Sequence, residues 1–152
     1  MTDRARILLI DDDKNIRQTL AIVLQEEGYI VDTAETGKEA VEKSFSNFYN
    51  LAIVDWRLPD VEGTALISRL KETTPPMAKI MLTGYPSINN AVEAVNRHAD
   101  AFLIKPVDVE ELLKKIRELL IQQEESKEFC EDKIVSFIET RTKQILEEDS
   151  LR

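Results

Sequence analysis

The sequence has few of the residues that would tie it to a membrane, a nucleic acid or an oxidising compartment. Among 152 residues there is one cysteine, Cys130. No intramolecular disulfide can form, which fits a reducing compartment. No apolar run approaches the length that spans a bilayer. Met1 to Arg6 is polar and leads straight into the short apolar run Ile7–Ile10, without the pattern of a signal peptide. The expected address is the cytoplasm. Basic charge is scarce too: 20 Lys and Arg stand against 29 Asp and Glu, a net charge of −9. Residues 1–121 hold 20 acids and 15 bases, and residues 122–152 hold 9 and 5. Neither part has the basic footprint of a protein that binds nucleic acid directly, and the acidity reads as solubility. There is no internal repeat and no low-complexity tract. Glycine and proline are absent from residues 107–152.

What is present alternates between two patterns. Short apolar runs stand at Ile7–Ile10, Ile30–Thr33, Leu51–Val54, Ile80–Leu82 and Ala101–Ile104. Their near-continuous hydrophobicity predicts strands buried on both faces of a parallel sheet. Between them lie residues at helical spacing: Ile16, Leu20, Val23 and Leu24; Ala40, Val41 and Phe45; Leu66, Ile67 and Leu70; Ala91, Val92 and Val95; then Leu112, Leu113, Ile116, Leu119 and Leu120. Gly28 follows the first helix, Thr36 and Asp108 are placed to cap helix starts, Pro75 and Pro76 close the third helix, and Pro86 stands near the start of the fourth. Five strand–helix repeats with short links predict a doubly wound α/β domain. In such sheets, sites form beyond the carboxyl ends of the strands.

Those ends carry chemistry. Asp11, Asp12 and Asp13 follow the first strand, Asp55 ends the third and is followed by Trp56 and Arg57, Thr83 and Gly84 end the fourth, and Lys105 and Pro106 follow the fifth. Clustered carboxylates oppose one another's ionisation. A hard divalent cation removes that conflict, and Mg²⁺ favours a few carboxylates plus waters. Lys105 adds a point charge for a phosphate oxygen. Thr83 offers a hydroxyl, and Gly84 lets a backbone N–H approach a bound phosphate closely. A carboxylate, a metal, a cation and a hydroxyl together suit phosphoryl transfer, in which the carboxylate can be the nucleophile.

The stretches ILLIDDDKNIR (7–17), LAIVDWRLPDVEG (51–63), IMLTGY (80–85) and DAFLIKPV (100–107) resemble, in order and spacing, the receiver domains of two-component response regulators. The resemblance covers about four-fifths of the chain and implies a flavodoxin-like, five-stranded parallel sheet of order 2-1-3-4-5 with helices on both faces. It implies Asp55 as phosphoacceptor and Mg²⁺ held by Asp12 directly, by Asp11 close by, by Asp55 and by the backbone carbonyl of Arg57. Thr83 and Lys105 would contact the phosphoryl group. Phe102 would be a switch aromatic that moves inward as Thr83 engages the phosphate. The Lys105–Pro106 bond would be cis, and Arg57 and Tyr85 would tune the lifetime of the phosphoryl group. A histidine kinase or phosphotransfer protein would be the donor. The receiver would catalyse its own modification rather than act as a conventional enzyme, and would change a partner-binding face formed by the fourth helix, fifth strand and fifth helix. Plainer roles are expected for Asp13 (cap of the first helix), His98 (surface), Trp56 (packing over the loop near the site) and Cys130 (packing).

Two rival functions remain. An aspartate-nucleophile phosphatase of the haloacid dehalogenase type would use Asp11 and Asp13 and lose turnover in Asp11→Asn but not in Asp55→Asn. A phosphorylation-independent interaction module would ignore a phosphoryl donor. Residues 1–121 are expected to form the receiver and residues 122–152 a helical extension. The extension either continues the fifth helix or begins anew near Glu125 and Ser126. Its stripe of Phe129, Ile134, Val135, Ile138 and Ile145 reads as a short coiled-coil-like dimer helix, or as a linker to an effector. No DNA-binding or catalytic output module is recognisable.

Overall fold

A computed structural model of the chain describes residues 4–84, 87, 89, 92–94 and 98–150. It contains a five-stranded, all-parallel sheet of order β2-β1-β3-β4-β5. The strands are β1 (Arg6–Ile10), β2 (Ile30–Ala34), β3 (Leu51–Asp55), β4 (Ala78–Thr83) and β5 (Ala101–Ile104). Helices α1 (Lys14–Glu26), α2 (Gly37–Ser46) and α3 (Gly63–Ile67) follow the first three strands, and α4 (Val109–Ser150) follows β5. Of the fourth amphipathic stretch, residues 89 and 92–94 are described and are helical; Tyr85, Pro86, Ala91 and Val95 lie outside the described residues.

Because successive strand residues point to opposite faces, the near-continuous apolar runs feed two cores. Leu8, Ile10, Ala52, Val54 and Met81 face one side with Ala40 of α2 and Leu66 and Ile67 of α3. Ile7, Leu9, Leu51, Ile53, Ile80 and Leu82 face the other with Leu20 and Leu24 of α1 and Leu112, Ile116 and Leu119 of α4. The central strands β1 and β3 bury almost every residue, while β2 and β5, at the sheet's edges, are only partly covered.

The punctuation works as the sequence implies. The Asp13 carboxylate accepts the N–H groups of Asn15 and Ile16 and caps α1. The Thr36 hydroxyl accepts from Glu39 N, and the Asp108 carboxylate accepts from Glu110 and Glu111. Gly28 sits at φ +96°, the left-handed conformation that ends α1. Two details differ from expectation. Helix α3 stops at Ile67, well short of Pro75; Leu70 is still buried, reached through a turn. Phe45, expected on the apolar stripe of α2, is exposed, because the face of α2 turned to the sheet is made by Ala40 and Ser44. Of the two arrangements open for residues 122–152, the structure has the continuous one: α4 runs unbroken for 42 residues, about 60 Å at 1.5 Å per residue.

Candidate functional site

Strand order reverses direction between β1 and β3, so no helix crosses over their adjacent carboxyl ends and a crevice opens there. Parallel pairing in register, with Ile10 opposite Val54, brings the residues just after each strand to one level. Asp11, Asp12 and Asp55 each offer a carboxylate oxygen within 4.8 Å of the others. Asp11 is fully buried, Asp55 nearly so, and Asp12 is exposed.

Asp11 and Asp55 are held by hydrogen bonds. Asp11 Oδ1 accepts the N–H of Asp13 at 2.9 Å, and the Asp11 backbone N–H donates to Ala34 O at 3.1 Å. Lys105 Nζ donates to Asp11 Oδ2 at 3.0 Å and to Asp55 Oδ1 at 3.1 Å. Lys105 is placed by its own backbone N–H, which donates to Thr83 O at 2.7 Å, and it precedes a cis bond to Pro106; a second cis bond joins Thr74 and Pro75. Thr83 closes β4 as a fully buried residue. Gly84 follows it, and a Cβ there would meet open space. Backbone pairing continues past β3, where Trp56 N donates to Leu82 O at 2.8 Å. The backbone of Arg57 pairs with that of Glu62 in an isolated antiparallel β-bridge. Phe102 is half-buried and meets the buried Trp56 edge to face, with ring centroids 6.3 Å apart.

Three carboxylates against one ammonium leave this crevice with an excess of negative charge. Burial pushes the Asp55 carboxyl up to about 6; Asp11 adds to the rise, Lys105 opposes it and Asp12 contributes least. For Lys105, burial lowers the ammonium's pKa, but bonding and attraction to Asp11 and then Asp55 outweigh it, so the net shift is upward. A divalent cation would supply the missing positive charge, and the oxygen donors present are those Mg²⁺ takes.

Two contributors escaped the sequence reading. Arg17 is nearly buried; its Nη1 donates to Asp11 O at 2.8 Å and its Nη2 to Glu35 Oε1 at 3.0 Å. The signal was an arginine on the core-facing stripe of the first helix, between Ile16 and Leu20. Gly63 opens α3 against Asp55: a Cβ there would lie 2.3 Å from Asp55 O and 2.8 Å from Met81 Cε. Its N–H donates to Trp56 O at 2.7 Å. One of only 4 glycines, it ends a matching stretch.

Residues 7–117 match the family model of the response regulator receiver domain. The chain belongs to that family. The receiver is 33% identical over 119 residues to the response regulator ArlR of Staphylococcus saprophyticus, covering 78% of this chain and 53% of that protein. It thus spans about half the length of the curated relatives it matches. Among solved structures it resembles a CheY-like receiver from Methanospirillum hungatei, at 44% identity and TM-score 0.77, over 81% of this chain and 98% of the other. A response regulator from Burkholderia pseudomallei, solved with a phosphorylated aspartic acid, a calcium ion and citrate, matches at 34% identity and TM-score 0.65, over 72% and 64% of the two chains. The receiver fold and sheet order are therefore as the resemblance implied. Among the described residues, no helix is long and apolar enough to cross a membrane.

Of the expected site residues, the receiver brings together Asp11, Asp12, Asp55 and Lys105 directly, with Thr83, Gly84 and Arg57 on the flanking strand ends and Phe102 against Trp56. Tyr85 lies outside the described residues. His98 is exposed at φ +68°, in the left-handed region where glycine is favoured.

Proposed function

We propose that the chain is a phosphorylation switch whose acceptor is Asp55. The observation that carries this reading is the meeting of three carboxylates within 4.8 Å, two of them bonded to Lys105. Asp11, Asp12, Asp55 and the Arg57 backbone carbonyl would hold Mg²⁺, which supplies charge neutralisation for carboxylates and phosphoryl oxygens when bound. A carboxylate oxygen of Asp55 attacks the phosphorus of a phosphohistidine on a histidine kinase or phosphotransfer protein. The P–N bond breaks, the imidazole leaves with its electron pair and takes up a proton, and an acyl phosphate remains on Asp55. Lys105 exchanges a carboxylate contact for a phosphoryl oxygen, and the Thr83 hydroxyl with the Gly84 N–H binds another. Phe102 follows Thr83 inward, and Arg57 and Tyr85 set how readily water reaches the acyl phosphate. The aspartyl phosphate of the Burkholderia relative supports this assignment by analogy.

In this reading residues 1–121 are the receiver and residues 122–152 its helical extension, and the switched face is built from the segment around residues 92–94, β5 and the first turns of α4. Magnesium and a small phosphoryl donor should add one phosphoryl group, read by intact mass, to the wild type and none to Asp55→Asn. Equal addition to both proteins, or none to either, would sink the proposal.

A further inference from the structure

The distal half of α4 has an apolar face that the receiver leaves uncovered. Ile134, Val135, Phe137, Ile138, Ile145 and Leu146 are each between 50% and 67% exposed. We infer that a second copy of this chain covers that face, and that the two helices run antiparallel.

Direction follows from where the face points. Ile134, Phe137 and Ile138 lie eighteen residues beyond Ile116, Leu119 and Leu120, which is about five turns at 3.6 residues per turn. The uncovered stripe therefore continues the side of α4 that packs on the receiver, where Ile116 and Leu119 are buried and Leu120 joins the same core. Gln123 marks the last anchor on that side: its Nε2 donates to Asn50 O and to Pro76 O, both at 2.8 Å. Paired helices lie about 8–10 Å apart, whereas a domain of this size has a radius of gyration of about 13 Å. In a parallel pair each receiver would sit on the side of its helix that faces the partner, and two bodies would contend for one space. An antiparallel pair sends the receivers to opposite ends.

The residue pattern agrees. Four of the six apolar positions are symmetric about Thr140: Ile134 and Val135 of one helix come level with Leu146 and Ile145 of the other, while Ile138 comes level with Thr142 and Phe137 with Lys143. Arg141 then comes level with Glu139 of the other helix, and Lys133 with Glu147. A parallel pair in register would instead oppose Arg141 to Arg141 and Lys127 to Lys127. The unfavourable pairs of the antiparallel register are Glu131 with Asp149 and Asp132 with Glu148, at its ends, where salt screens them.

The inference is independent of the phosphoacceptor reading. Light scattering of the full chain should give twice the monomer mass. A spin label at Glu128→Cys, in a Cys130→Ser background, should lie about 36 Å along the helices from its counterpart, at 1.5 Å per residue. Ile138→Lys should weaken association at least about tenfold, roughly the loss of one well-packed apolar contact, and leave the thermal transition of the receiver in place. A monomer at every concentration, labels within about 20 Å of each other as in a side-by-side parallel pair, or an Ile138→Lys protein that stays dimeric would each overturn it.

Discussion

A carboxylate group that is costly to ionise stands at the centre of this receiver. The Asp55 carboxyl is raised from 3.8 to about 6 by burial first and by Asp11 next. The sign is opposite to that of an acid stabilised by a salt bridge. The folded state keeps this proton up to about pH 6, whereas the unfolded chain releases it near 4. Stability from this group is therefore full below pH 4 and is lost as pH rises through 6. With a chelator present, the stability difference between Asp55→Asn and wild type should grow in favour of the variant from pH 4 to 7, measured by urea denaturation. A difference that stays constant with pH would contradict it. Gly63 makes a second prediction. Gly63→Ala places a Cβ 2.3 Å from a backbone oxygen that cannot yield without moving Asp55. It should cost at least about 2 kcal/mol, the usual scale of overpacking, and should lower Mg²⁺ affinity because the carbonyl displaced belongs to Asp55.

At the scale of elements, the junction between receiver and extension is one unbroken helix held by a polar clasp. Gln123 donates to two carbonyls, and Asn50 Nδ2 donates back to Gln123 Oε1 at 3.3 Å. Asn50 is itself tied to the sheet, accepting from Arg6 N at 2.8 Å and from Ala78 N at 3.0 Å. Gln123→Ala leaves the Pro76 carbonyl without this donor. It should cost about 1–2 kcal/mol and speed amide exchange in α4 around residues 119–126. Unchanged exchange there would show that the helix is held by its apolar face alone. A cap serves α2 in a comparable way: Asp60, from the loop after β3, accepts the N–H groups of Gly37 and Lys38 at 2.8 and 2.9 Å. Those bonds hold the Asp60 carboxyl below the usual carboxylate range.

For the whole molecule, charge connects site and stability. A cation bound by the folded state alone stabilises it by mass action, about 2.7 kcal/mol at one hundred times its dissociation constant. Added Mg²⁺ should therefore raise the melting temperature of the wild type, and Asp12→Asn should blunt the rise while leaving the metal-free transition nearly unchanged, because Asp12 is exposed. A rise equal in both proteins would remove Asp12 from the metal site.

The chain's pattern alone determined the order of strands and helices, the caps at Asp13, Thr36 and Asp108, and the strand-end residues Asp11, Asp12, Asp55, Thr83 and Lys105. These are local signals, carried by hydrophobic period, turn chemistry and motif spacing. Tertiary structure decided what depends on distant neighbours. Arg17 reads as a helix cation until the Asp11 carbonyl arrives beside it, and Gly63 reads as a turn glycine until Asp55 and Met81 crowd its missing Cβ. Phe45 faces water because Ala40 and Ser44 make the face of α2 that meets the sheet, and α3 ends at Ile67 while Leu70, beyond it, still reaches the core. That α4 continues past Gln123 and keeps its apolar stripe on the receiver's side follows from a helical phase carried over five turns, which the sequence contains but only a folded anchor orients.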